Sequence, residues 1–416
     1  MKMDAEKSYI RMRKRKAFFH SLAYRVCEVF PVRKNKVTVV TYEGKGGFGC
    51  NPKYIIEELH RKHPEMEIVW LVNDISKEFP DYIKKRKHTL WNRAYHLSTS
   101  KIWIDNYRKP LGTVKRKSQF YINTWHGCIG FKAIGLWRGE EFSNIARLVS
   151  EADSQLIDCL VVFSKWNTEM FKKGMLYTGR YEITGQARCD VQVNARDYQR
   201  KTIRELYGIP DSASILIYAP TYQESNQKTN REVHLSDNGL NLELVRETFK
   251  EKTQSEWYVL KRLHPQLAEK DEFNRDGDNS YIIDVSKYPD MNELLAACDA
   301  VVTDYSSVAF DAGCAGIPIF LYMPDIAEYK EARGGLCFNL KKGEPITFNE
   351  KMAPGFSGIV PFALATNIDE LQREIMSFDI SDYLKAIENL NYSLGIRMDG
   401  HASESTVSII EDAMRI

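Results

Sequence analysis

Short apolar runs recur along the chain, separated by amphipathic stretches. The β-branched and aromatic runs of the first series are VTVVTY (37–42), EIVWLVN (67–73), KIWIDN (101–106), QFYINTW (119–125), DCLVVFS (158–164) and YEIT (181–184). Between them stand segments such as NPKYIIEELHRKH and SNIARLVSEADSQLI, whose apolar residues fall three and four apart, the period of a half-buried helix. Strands alternating with helices predict βαβ units and a largely parallel sheet. The alternation restarts after VNARDYQRKTIRELYG and the turn IPDSAS, with SILIYAP (214–220), WYVLKRLHP (257–265), YIIDVS (281–286), AVVTDYSS (300–307) and IPIFLYMP (317–324). The pattern predicts an α/β protein of two Rossmann-like domains whose parallel sheets face a central cleft. Residues 37–195 form the first domain and 196–395 the second, with a last helix in 396–416 packing back on the first. The polar stretch 223–239 has no period and follows a strand end, which predicts a mobile loop at the ligand edge.

Composition narrows the class. With 416 residues, 43% hydrophobic and 27% charged, the chain has the balance of a folded protein too long for one core. No run of 18 apolar residues predicts a membrane-spanning helix, and the start carries no secretory pattern. The eight cysteines are scattered without a CxxC pair, which predicts reduced thiols in a cytosolic setting and no zinc site.

Charge changes the picture at the start of the chain. The formal net charge is only +2, yet residues 1–36 hold eleven Lys or Arg against three acids. Within them RMRKRKAFFHSLAYRVCEVF joins a basic cluster, Arg11 to Lys16, to Phe18, Phe19, Leu22, Tyr24, Val26, Val29 and Phe30. As a helix this segment suits an anionic membrane surface, and it equally suits a helix docked on the protein with a solvated basic face. No basic stripe with interleaved aromatics recurs downstream, so nucleic acid is not an expected partner.

Open parallel sheets bind ligands beyond the carboxyl ends of their strands. There the first series presents TYEGKGGFGCNP (41–52), Thr124, His126, Gly127 and GQARCD (185–190); the second presents APTYQ (219–223), KRLHP (261–265), DVSKYPD (284–290) and TDYSS (303–307). In TDYSSVAFDAG a strand runs into two serines that open a helix, so Ser306 can cap it while the free N–H groups favour a phosphate. Capping alone explains the serines equally well. Walker A and GxGxxG patterns are absent, which disfavours an ATPase or a nicotinamide enzyme. Among nine histidines, His126 and His264 stand out because each follows a strand and adjoins Gly127 or Pro265. An imidazole there can take a proton from a hydroxyl or, when charged, steady a phosphate, and Arg262 can pair with one.

TWHG at 124–127, APT at 219–221, RLHP at 262–265 and TDYSSVAFD at 303–311 together resemble the CDP-glycerol glycerophosphotransferase family, the teichoic acid and capsule polyol-phosphate primases and polymerases. The likeness runs from YEGKGGFGCNPKYIIEEL near residue 42 to DGHASE at 399–404. It implies a GT-B-type fold and a peripheral enzyme on the cytoplasmic membrane face. The implied reaction moves a polyol phosphate from CDP-glycerol, or another CDP-polyol, to a lipid-linked or polymer acceptor, with release of CMP. By resemblance His126 is the general base on the acceptor hydroxyl and His264 the second catalytic histidine. The substrate contacts fall on Thr124, Trp125, Gly127, Cys128, Arg188, Pro220, Thr221, Arg262, Leu263, Ser306, Ser307 and Asp311.

Three positions depart from the family: HGCI stands for HGTP, Ala187-Arg188-Cys189-Asp190 for Pro-Arg-Asn-Asp, and Tyr222-Gln223 for Trp-Arg. No cofactor is demanded. Mg2+ is compatible with the reaction, but Asp276-Gly277-Asp278 reads as a solvated loop and no metal ligand set is expected. The rival readings are a CDP-ribitol enzyme, a nucleotide-sugar glycosyltransferase of the same architecture, and a non-catalytic nucleotide-binding scaffold.

Overall fold

A computed structural model describes residues 2–224, 233–235, 240–263, 280–333 and 335–415. Contacts group the chain into two compact units, and the division is not a single cut. Unit 1 comprises Met1–His126, Ile134–Asp190 and Asp399–Ile416; unit 2 comprises Gly127–Ala133 and Val191–Met398.

In unit 1 a seven-stranded sheet is built from β1 (Arg33–Val40), β2 (Glu67–Val72), β3 (Ile83–Lys87), β4 (Ser100–Asp105), β5 (Phe120–Asn123), β6 (Cys159–Val162) and β7 (Arg180–Ile183). Its order is β3-β2-β1-β4-β5-β6-β7 and every pairing is parallel. The six apolar runs of the first series are six of these strands. The sequence pattern missed β3, whose IKKRK is nearly all cationic. That strand lies at the sheet edge, where lysines are tolerated and discourage pairing with another chain.

Three helices frame this sheet near its ligand edge and at the chain start: α1 (Lys2–Cys27), α2 (Cys50–Lys62) and α3 (Leu90–Thr99). Helix α2 buries Ile55, Ile56 and Leu59 in one cluster with Val37, Val39, Ile68 and Trp70 of the sheet. The last helix, Ala402–Arg415, adds Val407, Ile409, Ile410 and Ala413 to the same cluster. Asp190 fixes its first turn by accepting from Ala402 N and Ser403 N. Helix α1 is seated by Ala23, Tyr24 and Cys27, which are buried, and Arg93 donates to the Tyr24 hydroxyl at 3.0 Å. Gly112 permits this seating: at φ +86, a Cβ there would lie 2.1 Å from the Ala17 carbonyl oxygen. Phe18, Phe19, Leu22, Val26, Val29 and Phe30 stay exposed.

Unit 2 holds a second parallel sheet, from β8 (Ser214–Ala219), β11 (Trp257–Lys261), β12 (Ile282–Asp284), β13 (Ala300–Thr303), β14 (Ile319–Tyr322) and β18 (Ala363–Ala365), ordered β12-β11-β8-β13-β14-β18. Between them β9 (Tyr222–Glu224) and β10 (Val233–Leu235) pair antiparallel. This corrects the expected featureless loop over 223–239 for the part that is described; the rest lies outside the described residues. A small antiparallel sheet of β15 (Phe338–Asn339), β16 (Ile346–Phe348) and β17 (Ile359–Val360) was not legible in the sequence, because its strands have two or three residues.

Residues 127–133 are integral to unit 2. Phe131 is fully buried, with its ring 5.2 Å from Phe310 and 5.5 Å from Phe338. Its carbonyl accepts from Cys337 N at 2.8 Å, and Lys132 forms an antiparallel bridge with Leu336. All eight cysteines are free thiols.

Candidate active site

In an open α/β sheet the ligand crevice opens where the winding reverses. In unit 1 that point is between β1 and β4. Tyr42 follows β1 and Asn106 follows β4, and Tyr42 N donates to Asn106 Oδ1 at 2.9 Å across it. The same asparagine receives His126: Nδ1 lies 2.8 Å from the Asn106 carbonyl oxygen. A carbonyl can only accept, so Nδ1 carries the proton and Nε2 keeps the lone pair. Rings of Trp125, Tyr107 and Tyr42 stand 4.4, 5.3 and 5.3 Å from the imidazole. Burial among them lowers the His126 pKa to about 4, and the Arg188 and Arg108 charges push the same way against the Asn106 bond. The site therefore presents a neutral imidazole at neutral pH.

Residues around His126 are held tightly. Trp125 has φ 49, left-handed for a bulky residue. Thr124 is fully buried, and its hydroxyl donates to the Trp125 carbonyl at 3.0 Å. Arg188 is 3% exposed; its backbone N–H donates to Asn51 Oδ1 and its Nη1 lies 3.6 Å from Cys50 Sγ. Beneath them a buried pair, Lys109 Nζ to Asp105 Oδ2 at 2.6 Å, ties the β4 end to the following loop.

Unit 2 reverses its winding between β8 and β13. Asp304 spans that point, accepting from Thr221 N at 2.9 and 3.0 Å and from Thr221 Oγ1 at 2.8 Å. Pro220 is buried beside it, while Ser306 and Ser307 are half-exposed. Ser306 Oγ accepts from Val308 N at 3.4 Å; Ser307 is the N-cap residue of the short helix Val308–Gly313 and makes no side-chain cap. Both hydroxyls thus stand at the strand end with little local hydrogen bonding. Half-exposed Arg262 donates from Nη1 to the Tyr288 carbonyl at 2.6 Å, and buried Leu263 donates from its N–H to Ser286 Oγ. Cys128 donates from Sγ to Asp311 Oδ1 at 2.7 Å, with the Ser307 carbonyl 3.9 Å away. Gly127 precedes it, half-exposed.

Unit 1 thus brings together Thr124, Trp125, His126 and Arg188. Unit 2 brings together Cys128, Ser307 and Asp311, while Pro220 and Thr221 are joined to the TDYSS turn through Asp304. His264 and Asp276-Gly277-Asp278 lie outside the described residues. Among the described residues no group of three or more His, Cys, Asp or Glu could hold a metal ion. The sequence reading overlooked Asn51, Asn106 and Asp304. Each lay inside a quoted run (NPKYII, KIWIDN, TDYSS), but nothing in a linear pattern says which polar residue bridges two strand ends.

Residues 22–351 match the CDP-Glycerol:Poly(glycerophosphate) glycerophosphotransferase family. The chain belongs to this family. The resemblance read from TWHG, APT, RLHP and TDYSS is borne out. A curated member, the teichoic acid poly(glycerol phosphate) polymerase of Bacillus spizizenii, is 25% identical over 78% of this chain and 83% of its own length. The polymerase of the same description from Staphylococcus epidermidis is 27% identical over 82% of this chain, which spans only 47% of that longer relative. Among solved structures, the wall teichoic acid polymerase TagF matches with a TM-score of 0.78 at 22% identity, covering 100% of this chain and 97% of that one. The fold class is therefore the expected one: α/β, GT-B-like, with two parallel sheets.

Proposed function

We propose that this glycerophosphotransferase family member transfers glycerol phosphate from CDP-glycerol to a hydroxyl of a poly(glycerol phosphate) acceptor, releasing CMP. The acceptor oxygen attacks the phosphorus that bears glycerol. A new P–O ester bond forms, the bridging P–O bond to CMP breaks, and the acceptor proton passes to Nε2 of His126. CMP leaves with the bridging oxygen. The observation that carries this reading is the imidazole itself: its Nδ1–H is committed to Asn106, its Nε2 lone pair is left, and aromatic rings keep it neutral. Ser306, Ser307 and Arg262 would take the donor's pyrophosphate, and His264, on resemblance, would share that charge. Such a transfer proceeds by positioning and electrostatics rather than by a covalent enzyme intermediate.

The test is CMP release from CDP-glycerol with a glycerol-phosphate-primed acceptor. His126→Ala should lower kcat roughly a hundredfold or more while the donor still binds. Near-normal turnover would show that the base is another group. CDP-ribitol and a UDP-sugar run beside CDP-glycerol decide the donor, and faster release from either displaces the glycerol reading.

The proposal extends to the cytoplasmic membrane surface, where a lipid-linked acceptor would be met. Among the described residues no helix is long and apolar enough to cross a membrane. Support comes from α1, which leaves Phe18 61% and Phe19 66% exposed beside the basic run Arg11 to Lys16. Such a face suits the headgroup region of an anionic bilayer. In flotation with phosphatidylglycerol vesicles, replacing Phe18 and Phe19 by Ser should release most of the bound protein. Unchanged flotation would remove α1 from that role.

A further inference from the structure

We infer that Asn51 is a positioning residue for the transfer, clamping the left-handed turn at Trp125 and thereby holding the imidazole of His126. The inference rests on His126 being the base. Asn51 sits in the first turn of α2, directly after the glycine-rich loop, and is 2% exposed. Its Nδ2 lies 3.3 Å from the Thr124 carbonyl, 3.2 Å from the Trp125 carbonyl and 2.5 Å from Gln186 Oε1. Its Oδ1 accepts from Arg188 N at 3.1 Å. One amide therefore joins three segments: the start of α2, the turn after β5, and the loop after β7. Three oxygens crowd the NH2 end and one N–H meets the carbonyl end, so the orientation of the amide follows from its partners.

The turn it holds would not stay in place unaided. A non-glycine residue in the left-handed region costs on the order of 1–3 kcal/mol and persists only where its surroundings over-determine it. Trp125, at φ 49, has three restraints: Asn123 Oδ1 on its N–H at 2.8 Å, the Thr124 hydroxyl on its carbonyl at 3.0 Å, and Asn51 on the same carbonyl. Asn123 and Thr124 hold the turn from the strand side, Asn123 fixed by its Nδ2 to the Tyr107 carbonyl at 2.9 Å and Thr124 by its N–H to the Asp105 carbonyl at 2.9 Å. Asn51 restrains it from another element, and that element is fixed in the core by Ile55, Ile56 and Leu59. If Trp125 relaxed to negative φ, the peptide before His126 would rotate. The ring would then leave the Asn106 carbonyl that sets its tautomer. A displacement near 1 Å at a reacting group costs about a hundredfold in rate.

Chemistry explains why the residue is asparagine. Aspartate has the same shape but no hydrogen to give, and it would set a carboxylate against the three oxygens. Alanine removes both ends of the amide. Asn51→Asp is therefore the principal variant, and Asn51→Ala the second. Both are assayed beside His126→Ala for CMP release from CDP-glycerol with the primed acceptor. For Asn51→Asp we expect kcat to fall ten- to a hundredfold, with the KM for CDP-glycerol within about twofold of the parent. Its melting temperature should fall, because a buried carboxylate then faces three oxygens, but the loss of turnover should appear in kcat at an assay temperature where the variant is folded, with KM held. A kcat within twofold of the parent in Asn51→Asp, while His126→Ala is inactive, overturns the positioning role and leaves the base reading intact. A loss appearing in KM and melting temperature together, in both Asn51 variants, likewise overturns it in favour of a purely structural residue. Retained turnover in His126→Ala removes the base reading, and the positioning role falls with it.

Discussion

The two units solve the same geometric problem with different chemistry. Each reverses its strand winding at one point, and each ties the two strand ends there with a single short polar side chain. In unit 1 it is Asn106, neutral, whose side-chain Oδ1 accepts from Tyr42 N while its backbone carbonyl accepts from His126 Nδ1. In unit 2 it is Asp304, a carboxylate that takes both the N–H and the hydroxyl of Thr221. The neutral bridge surrounds an imidazole with aromatic rings and arginine charge, which keeps a lone pair available for a proton. The carboxylate bridge uses its charge internally, on donors of the adjoining strand end, and so ties the turn to that strand end. On the proposed function, unit 1 supplies the group that accepts a proton and unit 2 the turn that meets the donor's phosphates.

That contrast predicts different kinetic signatures. The largest effect belongs to the imidazole: His126→Ala should collapse kcat by roughly a hundredfold or more, read as CMP release. Asp304→Ala should act chiefly on the donor. It removes the acceptor of the Thr221 N–H and hydroxyl, at about 1–3 kcal/mol. The expected outcome is a KM for CDP-glycerol raised about tenfold, with kcat lowered less. If Asp304→Ala instead lowers kcat at constant KM, the division of labour between the bridges is wrong.

The smallest effect concerns pH, and it separates the units again. Unit 1 buries Lys36 with no carboxylate in contact: its Nζ meets His96 Nδ1 at 3.0 Å and Thr99 Oγ1 at 2.7 Å, and burial lowers its pKa to about 7. An unfolded lysine holds its proton to about pH 10.4, so above pH 7 the unfolded chain binds more protons than the folded one. Unit 1 therefore gains stability as pH rises from about 7 to 8.5. In unit 2 the buried thiols Cys298, Cys314 and Cys337 are all pushed up by burial, so they stay protonated in the fold while unfolded thiols begin to ionise toward pH 8.5, which costs unit 2 a little stability at the top of that window. Hydrogen exchange should show β1 amides gaining on the order of 1 kcal/mol of protection across it, while β13 amides gain none and lose slightly toward pH 8.5. Lys36→Met should flatten the β1 response. A slope that survives in Lys36→Met would assign it to another group.

Much of the architecture was legible because apolar runs of four to six residues can only be strands when helical periods separate them. Eleven strands of the two parallel sheets came from that signal. The exceptions have two causes. In β3 the cations Lys84, Lys85, Arg86 and Lys87 conceal the strand, and β18, like β15 to β17, is too short to carry a period. His126 was found because a histidine at a strand end, beside Gly127, is locally odd. Thr124 was read as a substrate contact, and the structure buries it with its hydroxyl bonded to the Trp125 carbonyl.

INTWHGCIG shows where the two sources part. From the sequence alone came the strand, its end, the imidazole and the family likeness, because those depend on residue type and spacing. Tertiary structure decided that Trp125 is left-handed, that Nδ1 rather than Nε2 holds the proton, and that Asn51 clamps the turn. It also decided that the chain changes unit at the very next peptide, so that Cys128 meets Asp311. These are relations between residues 20 to 183 positions apart. Composition and periodicity describe what each segment can form, whereas a protonation state or a strained dihedral is set by the neighbours that folding delivers.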